Sequence, residues 1–324
     1  MLYGGEYSKA RWGRLKSKWL LLLCLCCLGV SALGFSACTL FSDRDQANKD
    51  GASGKWKAPS KVMQAKAPGN KVIEQGGVVM DYSNTKDGYF CVKSKLGATL
   101  VKVLVDVGGR QYQYSLVRGS YNTIPLTCGD NLYQVGVWRR VRGTTYAGVF
   151  AHNLEVRLKN PYSAFLYPNQ YIDFRAGDRS TLLSRSLSRG QRSELAALGR
   201  IYGYVVDHID YDYSKARTVP AGYLPNNTTT LATKKGICFD YASLTAAMLR
   251  VQGIPAKMVV GYAGSAYHAW LQVLCQATGE VRDYRFDGHS WVRMDPTFNA
   301  TSKDVEGIAA LVGNGSNYAP IFYY

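Results

Sequence analysis

The sequence predicts an α+β fold: a small all-β sandwich followed by a domain that mixes helices and strands. Three features predict it. Between residues 71 and 159, short apolar runs alternate with turn residues at regular intervals. From Cys238 onward, Leu244, Met248 and Val251 recur at helical spacing until Gly253 and Pro255 stop the run. Beyond that helix period-two segments return, among them Tyr267 to Cys275. The chain therefore divides into a signal segment (1–37), a flexible linker (38–70), the sandwich (71–159) and the α+β domain (160–324).

The first segment is basic up to Lys18 and then uncharged from Trp19 to Phe41. Within the uncharged run, Leu33-Gly34-Phe35-Ser36-Ala37-Cys38 sets small residues before a cysteine. That order resembles a bacterial lipobox, with Cys38 as the lipidated residue and Phe35 where Leu is usual. An uncleaved anchor is the alternative, since the run is long enough for a bilayer core of about 30 Å. Either reading tethers the remainder to a membrane on its extracytoplasmic side. The net charge of +16 favours anionic neighbours. No basic helix or zinc-finger spacing accompanies the charge, so nucleic acid is not expected as a partner. A phospholipid surface or an anionic cell wall fits an exported chain. The next stretch, to residue 70, is rich in Lys, Ala, Gly, Ser, Asn and Asp and reads as a flexible spacer.

The expected sandwich strands are 78–80, 89–92, 99–105, 111–115, 132–138 and 149–158. Lys86-Asp87-Gly88, Gly108-Gly109, Gly119-Ser120 and Cys128-Gly129-Asp130 punctuate them. Cys91 and Cys128 are candidates for a disulfide that would close a loop worth about 4 kcal/mol. Nothing in this region looks catalytic.

In the α+β domain, helices are expected over 181–187 and 191–208, the second with a clear apolar stripe. A loop to Lys235 leads into Cys238 and is expected to wall a cleft. Gly236 permits a sharp bend just before the cysteine. A cysteine at a helix head meets the positive end of the backbone dipole, which favours the thiolate, the reactive form. Strands follow at 257–262, 267–275, 284–286 and 291–294, then a helix at 304–311 and a terminal strand at 321–324.

Cys238, then His268 on a strand, then Asp295 at the end of a later strand have the chemistry of nucleophile, base and orienter. The N–H of Cys238 is a candidate oxyanion donor. Asp240 is read as a stabiliser of the helix start, Trp270 as a cleft wall or core residue, and Cys275 as a buried thiol. No His-x-x-x-His and, outside the signal run, no Cys-x-x-Cys is present, so neither a metal nor a cofactor is expected.

Several short motifs then fall in one order: Lys235-Gly236-Ile237-Cys238-Phe239-Asp240-Tyr241-Ala242, Gly253-Ile254-Pro255-Ala256, Val259-Val260-Gly261-Tyr262, His268-Ala269-Trp270 and Met294-Asp295-Pro296-Thr297-Phe298. Together they resemble the transglutaminase-like family of papain-like cysteine enzymes, over about residues 211–298. The resemblance implies a papain-like α+β core and a Cys–His–Asp triad in that chain order. It also implies a thioester formed from a protein or peptide amide, cell-wall peptides included, and resolved by water or by an amine. Animal crosslinking members carry a tryptophan after the nucleophile and bind calcium. Here Phe239 takes that place and no EF-hand-like loop is present, so calcium dependence does not carry over. The rival expectation is a non-catalytic envelope module that keeps the fold for binding or assembly.

Overall fold

The structure, a computed structural model, describes residues 56–97, 99–301 and 316–324. Eight strands come first: β1 (Val72–Gln75), β2 (Val78–Asp81), β3 (Tyr89–Ser94), β4 (Val101–Val107), β5 (Arg110–Ser115), β6 (Asn122–Pro125), β7 (Asn131–Arg142) and β8 (Thr145–Val156). They form two antiparallel four-stranded sheets, ordered β1-β2-β3-β6 and β5-β4-β7-β8. Val101, Val103, Val105 and Val107 alternate with half-exposed residues along β4 and so give one face to the core. Phe90 and Val92 of β3 belong to the same buried cluster. β1 and β6 were not legible in the sequence. β1 is mostly exposed and β6 is four residues long, so neither carries an alternating pattern.

The expected disulfide is not made, and both Cys91 and Cys128 are free thiols. Cys91 Sγ donates to the carbonyl of Lys66, on the face of β3 that receives the incoming chain. Cys128 lies instead against the Tyr112 hydroxyl, its Sγ 3.6 Å away. Burial, and next the charge of Asp81, push the Cys91 thiol up to about 12. The spacer reading also changes for residues 56–70, which sit on the protein body. Arg185 Nη2 donates to the Ser60 carbonyl, Gln64 Nε2 to that of Phe174, and the Lys66 N–H to the Tyr89 hydroxyl. Composition suggested a free chain, but hydrogen bonds to sequence-distant groups seat it. Cys38, the uncharged run and the expected helix at 304–311 lie outside the described residues. Among the described residues no helix is long and apolar enough to cross a membrane.

The second half contains α1 (Arg179–Leu187), α2 (Glu194–His208), β9 (Asp210–Tyr211), α3 (Tyr213–Thr218), α4 (Asn227–Thr233), β10 (Lys235–Gly236) and α5 (Cys238–Val251). The expected loop thus holds two short helices. Asp212 and Asn226 cap them by accepting from the N–H of Lys215 and Thr229. Next come β11 (Ala256–Ala263), β12 (Ala266–Leu274), β13 (Thr278–Val281), β14 (Tyr284–Asp287), β15 (Trp291–Met294), α6 (Pro296–Thr301) and β16 (Tyr318–Tyr323). The main sheet is antiparallel, ordered β15-β12-β11-β16.

Helix α5 is buried at every position from Asp240 to Val251, as expected of a helix with little polar surface packed against β11, β12, α1 and α2. Its last turn is tied down by Arg250. That guanidinium donates to the carbonyls of Tyr167, Ala256 and Tyr324 at 2.6–3.0 Å, and burial pulls its pKa down to about 9. One apolar cluster runs through both halves of the fold. At their contact Tyr112 and Tyr114 of β5 meet Phe322, Tyr324 and Tyr171 at ring separations of 5.4–6.4 Å.

Candidate active site

Cys238 is the first residue of α5, so its N–H is one of the four that a helix leaves outside its internal ladder. The helix start is fixed by Asp240, whose Oδ2 accepts from the Ile237 N–H at 2.9 Å. The same buried carboxylate takes Lys215 Nζ at 2.6 Å on Oδ2 and the Tyr223 hydroxyl at 2.6 Å on Oδ1. Asp240 therefore stabilises the helix start, as read from the sequence, and also pins α3, through Lys215, and the segment after it, through Tyr223, to the turn carrying the cysteine. Gly236 is required by this arrangement, because a Cβ there would lie 2.7 Å from the Cβ of Asp240.

His268 is on β12 opposite Gly261 of β11. Gly261 is demanded by a close approach: a Cβ would lie 2.1 Å from the Ala319 carbonyl oxygen on β16. The His268 ring sits in an aromatic frame, 4.9 Å from Phe298 and 6.2 Å from Trp270, with which it is nearly parallel. Its Nε2 bonds Asp295 Oδ2 at 2.7 Å. Burial alone would push the ring's pKa down. Hydrogen bonds to Asp295 and to Cys238, with the charges of both, outweigh it and raise the pKa to about 10. Since Nε2 is committed to Asp295, Nδ1 is the nitrogen left for the sulfur.

Asp295 is fully buried at the end of β15. Its Oδ1 accepts from the N–H groups of Thr297 and Phe298, each at 3.1 Å, in the turn that opens α6. Its Oδ2 accepts both His268 and the Tyr318 hydroxyl, the latter at 2.9 Å. Tyr318 arrives from β16, and its ring packs edge-on against Trp270 at 4.9 Å. Burial, followed by the charge of Asp295, holds this phenol far above its ordinary pKa, so it remains a donor. Below, the Asp295 N–H donates to the Tyr284 hydroxyl, which in turn donates to Asn299 Oδ1.

Cys238 and His268 line a cleft of about 480 Å³. Apart from these two residues its lining is largely aromatic and small apolar, with Tyr171, Tyr211, Tyr223, Phe239, Tyr267 and Tyr324 among the rings. The segment 216–223 supplies one side, as expected of the loop before the cysteine. The structure thus brings together Cys238, His268 and Asp295, which the sequence spreads over 58 positions. Sequence reasoning missed Tyr318, Lys215 and Tyr223. The only signal for Tyr318 was its place in a tyrosine-rich tail, and for Lys215 and Tyr223 a position in the wall segment. Cys275 is buried away from the cleft, and burial, followed by the charge of Glu194, pushes its thiol up to about 12. Among the described residues no group of three or more His, Cys, Asp or Glu could hold a metal ion.

Comparison with known proteins agrees with this core. The family model described as the transglutaminase-like superfamily matches residues 182–296. A protein-glutamine gamma-glutamyltransferase of Pseudomonas aeruginosa is 31% identical over 97 residues, 26% of this chain and 14% of that protein. The UPF0252 protein MJ1282 of Methanocaldococcus jannaschii is 35% identical over 104 residues, 28% of this chain and 30% of that protein. The chain therefore spans a third or less of these relatives' lengths. The crystal structure of red sea bream transglutaminase aligns with a TM-score of 0.27 and 12% identity, covering 67% of this chain and 49% of that one. The matched span encloses α5, β11, β12 and β15 and reaches to Pro296, so the α+β core that carries the cleft is transglutaminase-like.

Proposed function

We propose that the protein is a thiol acyl-enzyme acting on protein or peptide amides through Cys238, His268 and Asp295. The observation that supports it most is the His268 ring held between a helix-head cysteine and a buried carboxylate in one cleft. His268, protonated through the neutral range, pairs with the Cys238 thiolate. The thiolate attacks the amide carbonyl, and the Cys238 N–H faces the developing oxyanion. The C–N bond breaks as His268 Nδ1 passes its proton to the departing nitrogen, leaving a thioester and neutral imidazole. Water or an amine then attacks the thioester, His268 takes its proton, and the acid or new amide leaves with the thiolate restored. The name of the Pseudomonas relative motivates a glutamine side chain as the first acyl donor to try.

The test is alkylation by iodoacetamide across pH. The reading expects Cys238 to be labelled rapidly at pH 6, with the rate lost in His268→Ala. Slow labelling that rises only near an ordinary thiol pKa of about 8.5 would leave a binding module instead. Ammonia release from a glutamine peptide, with and without a primary amine, then separates transfer from hydrolysis. The proposal extends to place: a lipid at Cys38 would tether the enzyme outside the cytoplasm, near cell-wall peptides. Metabolic labelling with a radiolabelled fatty acid, lost in Cys38→Ala, is the expected result. Persistence of the label would refute that attachment point.

A further inference from the structure

The outer face of the β5-β4-β7-β8 sheet carries a feature that the cleft chemistry does not use. On β7, Trp138 stands directly opposite Gly148 of β8 and two residues from Gly136. The indole lies across both glycines. A Cβ built at Gly136 would meet Nε1 at 2.9 Å, and one at Gly148 would meet the benzo ring at 3.7 Å. Two missing side chains thus let a large ring lie flat on the sheet, with one face against backbone and 39% of the residue exposed.

Positive charge surrounds the ring. Lys102 of β4 is the neighbour of Trp138 on the other side, and its ammonium lies 5.0 Å from the centre of the Tyr146 ring. Arg140, two residues on from Trp138 and opposite Tyr146, lies on the same face. Arg140 is exposed, and among the described residues it pairs with no carboxylate. No Asp or Glu occurs from Asn131 to Leu154. The acids of this face lie toward its other end, where Asp106 accepts from the Gln111 amide and Glu155 is 3.5 Å from Arg157. No residue of β7 or β8 lines the cleft.

A flat, half-exposed aromatic ring framed by cations calls for a ligand with a planar or flat apolar face and negative charge around it. A lipid surface offers the charge but no ring to stack. Single-stranded nucleic acid offers both, but it is usually gripped by successive stacking rings. Here the second ring, Tyr146, is already covered by Lys102. A single uronic-acid unit fits best: the C–H face of the pyranose lies on the indole and its carboxylate reaches Lys102 or Arg140. We infer that this face is a binding site for an acidic glycan, separate from the cleft, with Trp138 as the stacking platform.

The test is calorimetric titration of the whole protein with a hexagalacturonate. Maltohexaose, poly-glutamate and oligo-dT serve as comparison ligands. Hexagalacturonate should bind, with an affinity that falls as salt rises. Trp138→Ala should weaken it at least tenfold, and Gly136→Val, which displaces the ring without removing charge, at least threefold. Lys102→Gln combined with Arg140→Gln keeps the ring and should weaken binding tenfold while flattening the salt dependence. All these variants should label at Cys238 at the parent rate, so failure here is distinguishable from failure of the acyl-enzyme reading. Equal binding of maltohexaose would overturn the role of charge, and equal binding of poly-glutamate the role of the ring. Tighter binding of oligo-dT would assign the face to nucleic acid, and an unchanged affinity in Trp138→Ala would remove the platform. If Trp138→Ala fails to fold, the double charge variant and Gly136→Val decide between the same outcomes.

Discussion

Replacing Asp295 by Asn isolates what the carboxylate does for His268. Oδ1 can still accept from the N–H groups of Thr297 and Phe298. Oδ2, which now accepts both His268 Nε2 and the Tyr318 hydroxyl, becomes an amide NH2. Tyr318 can rotate its proton away and accept. The imidazole cannot follow so cheaply. Facing a donor, Nε2 must give up its proton, and the neutral ring then carries it on Nδ1, the nitrogen assigned to the sulfur. Nδ1 can no longer take the thiol's proton, and the charge that favours imidazolium is gone. A wrong-tautomer histidine in a triad costs about 10⁴ in rate. At 1.36 kcal/mol per tenfold, a loss of about 10³–10⁴ corresponds to roughly 4–5.5 kcal/mol of lost activation. Backbone contacts survive, so stability should fall by only about 1 kcal/mol, the scale of one altered hydrogen bond. Asp295→Ala, by contrast, strands buried donors on several sides and should cost about 3–5 kcal/mol of stability. The assay is single-turnover acylation by an activated ester, read beside urea unfolding. A rate for Asp295→Asn within tenfold of the parent, at intact stability, would refute the tautomer argument and with it the role given to Asp295.

Four further outcomes are expected. Because the His268 pKa is raised from 6.5 to about 10, its contribution to stability is full below 6.5 and is lost as pH rises through about 10; urea midpoints from pH 6 to 11 should show this decline in the parent and not in His268→Gln. Lys215→Met leaves the buried Asp240 carboxylate with Tyr223 and the Ile237 N–H alone, and should cost about 2 kcal/mol and slow acylation by freeing the wall segment; thermal unfolding and the acylation assay read both. Gly261→Ala forces a Cβ onto the Ala319 carbonyl and should destabilise by roughly 3 kcal/mol through loss of β11–β16 pairing, measured by urea unfolding. Peptide mapping of the unreduced, alkylated protein should recover Cys91 and Cys128 as separate free thiols, and a crosslinked peptide would contradict the fold around β3.

The elements nearest the chemistry were the most legible in the sequence, and the reason is physical. Cys238 heads a long helix with a repeating apolar face, and Gly253 and Pro255 mark its end. His268 lies on a strand read from its period-two faces, with Trp270 and Gln272 on the side of His268, and Asp295 is fixed by the proline after it. Such signals are local, carried within a few residues. Tyr318 shares an oxygen with His268 only because β16 returns beside β11 after a long excursion, and no local pattern encodes that. Lys215 and Tyr223 were hidden for a related reason: Asp240 reads as a helix stabiliser, and nothing in its neighbourhood shows that it also holds a distant wall. Composition misled at 56–70, where small and charged residues resemble free chain but the backbone and Gln64 find fixed partners. The cysteine pair failed because belonging to one sandwich says nothing about where each thiol points, Cys91 meeting Lys66 beside β3 and Cys128 meeting Tyr112 of the other sheet.

Seating of that stretch sets how far the body can stray from whatever residue 55 is attached to. Fifteen extended residues would add about 50 Å of leash, and clamping them to β3 and α1 takes that slack away. Tension arriving from upstream would first meet the contacts of Ser60, Gln64 and Lys66, released in sequence like a zip rather than sheared all at once. The fastening is therefore a short-range fuse, one that would lengthen under pull before the helix and strands carrying the thiol, ring and carboxylate felt any load.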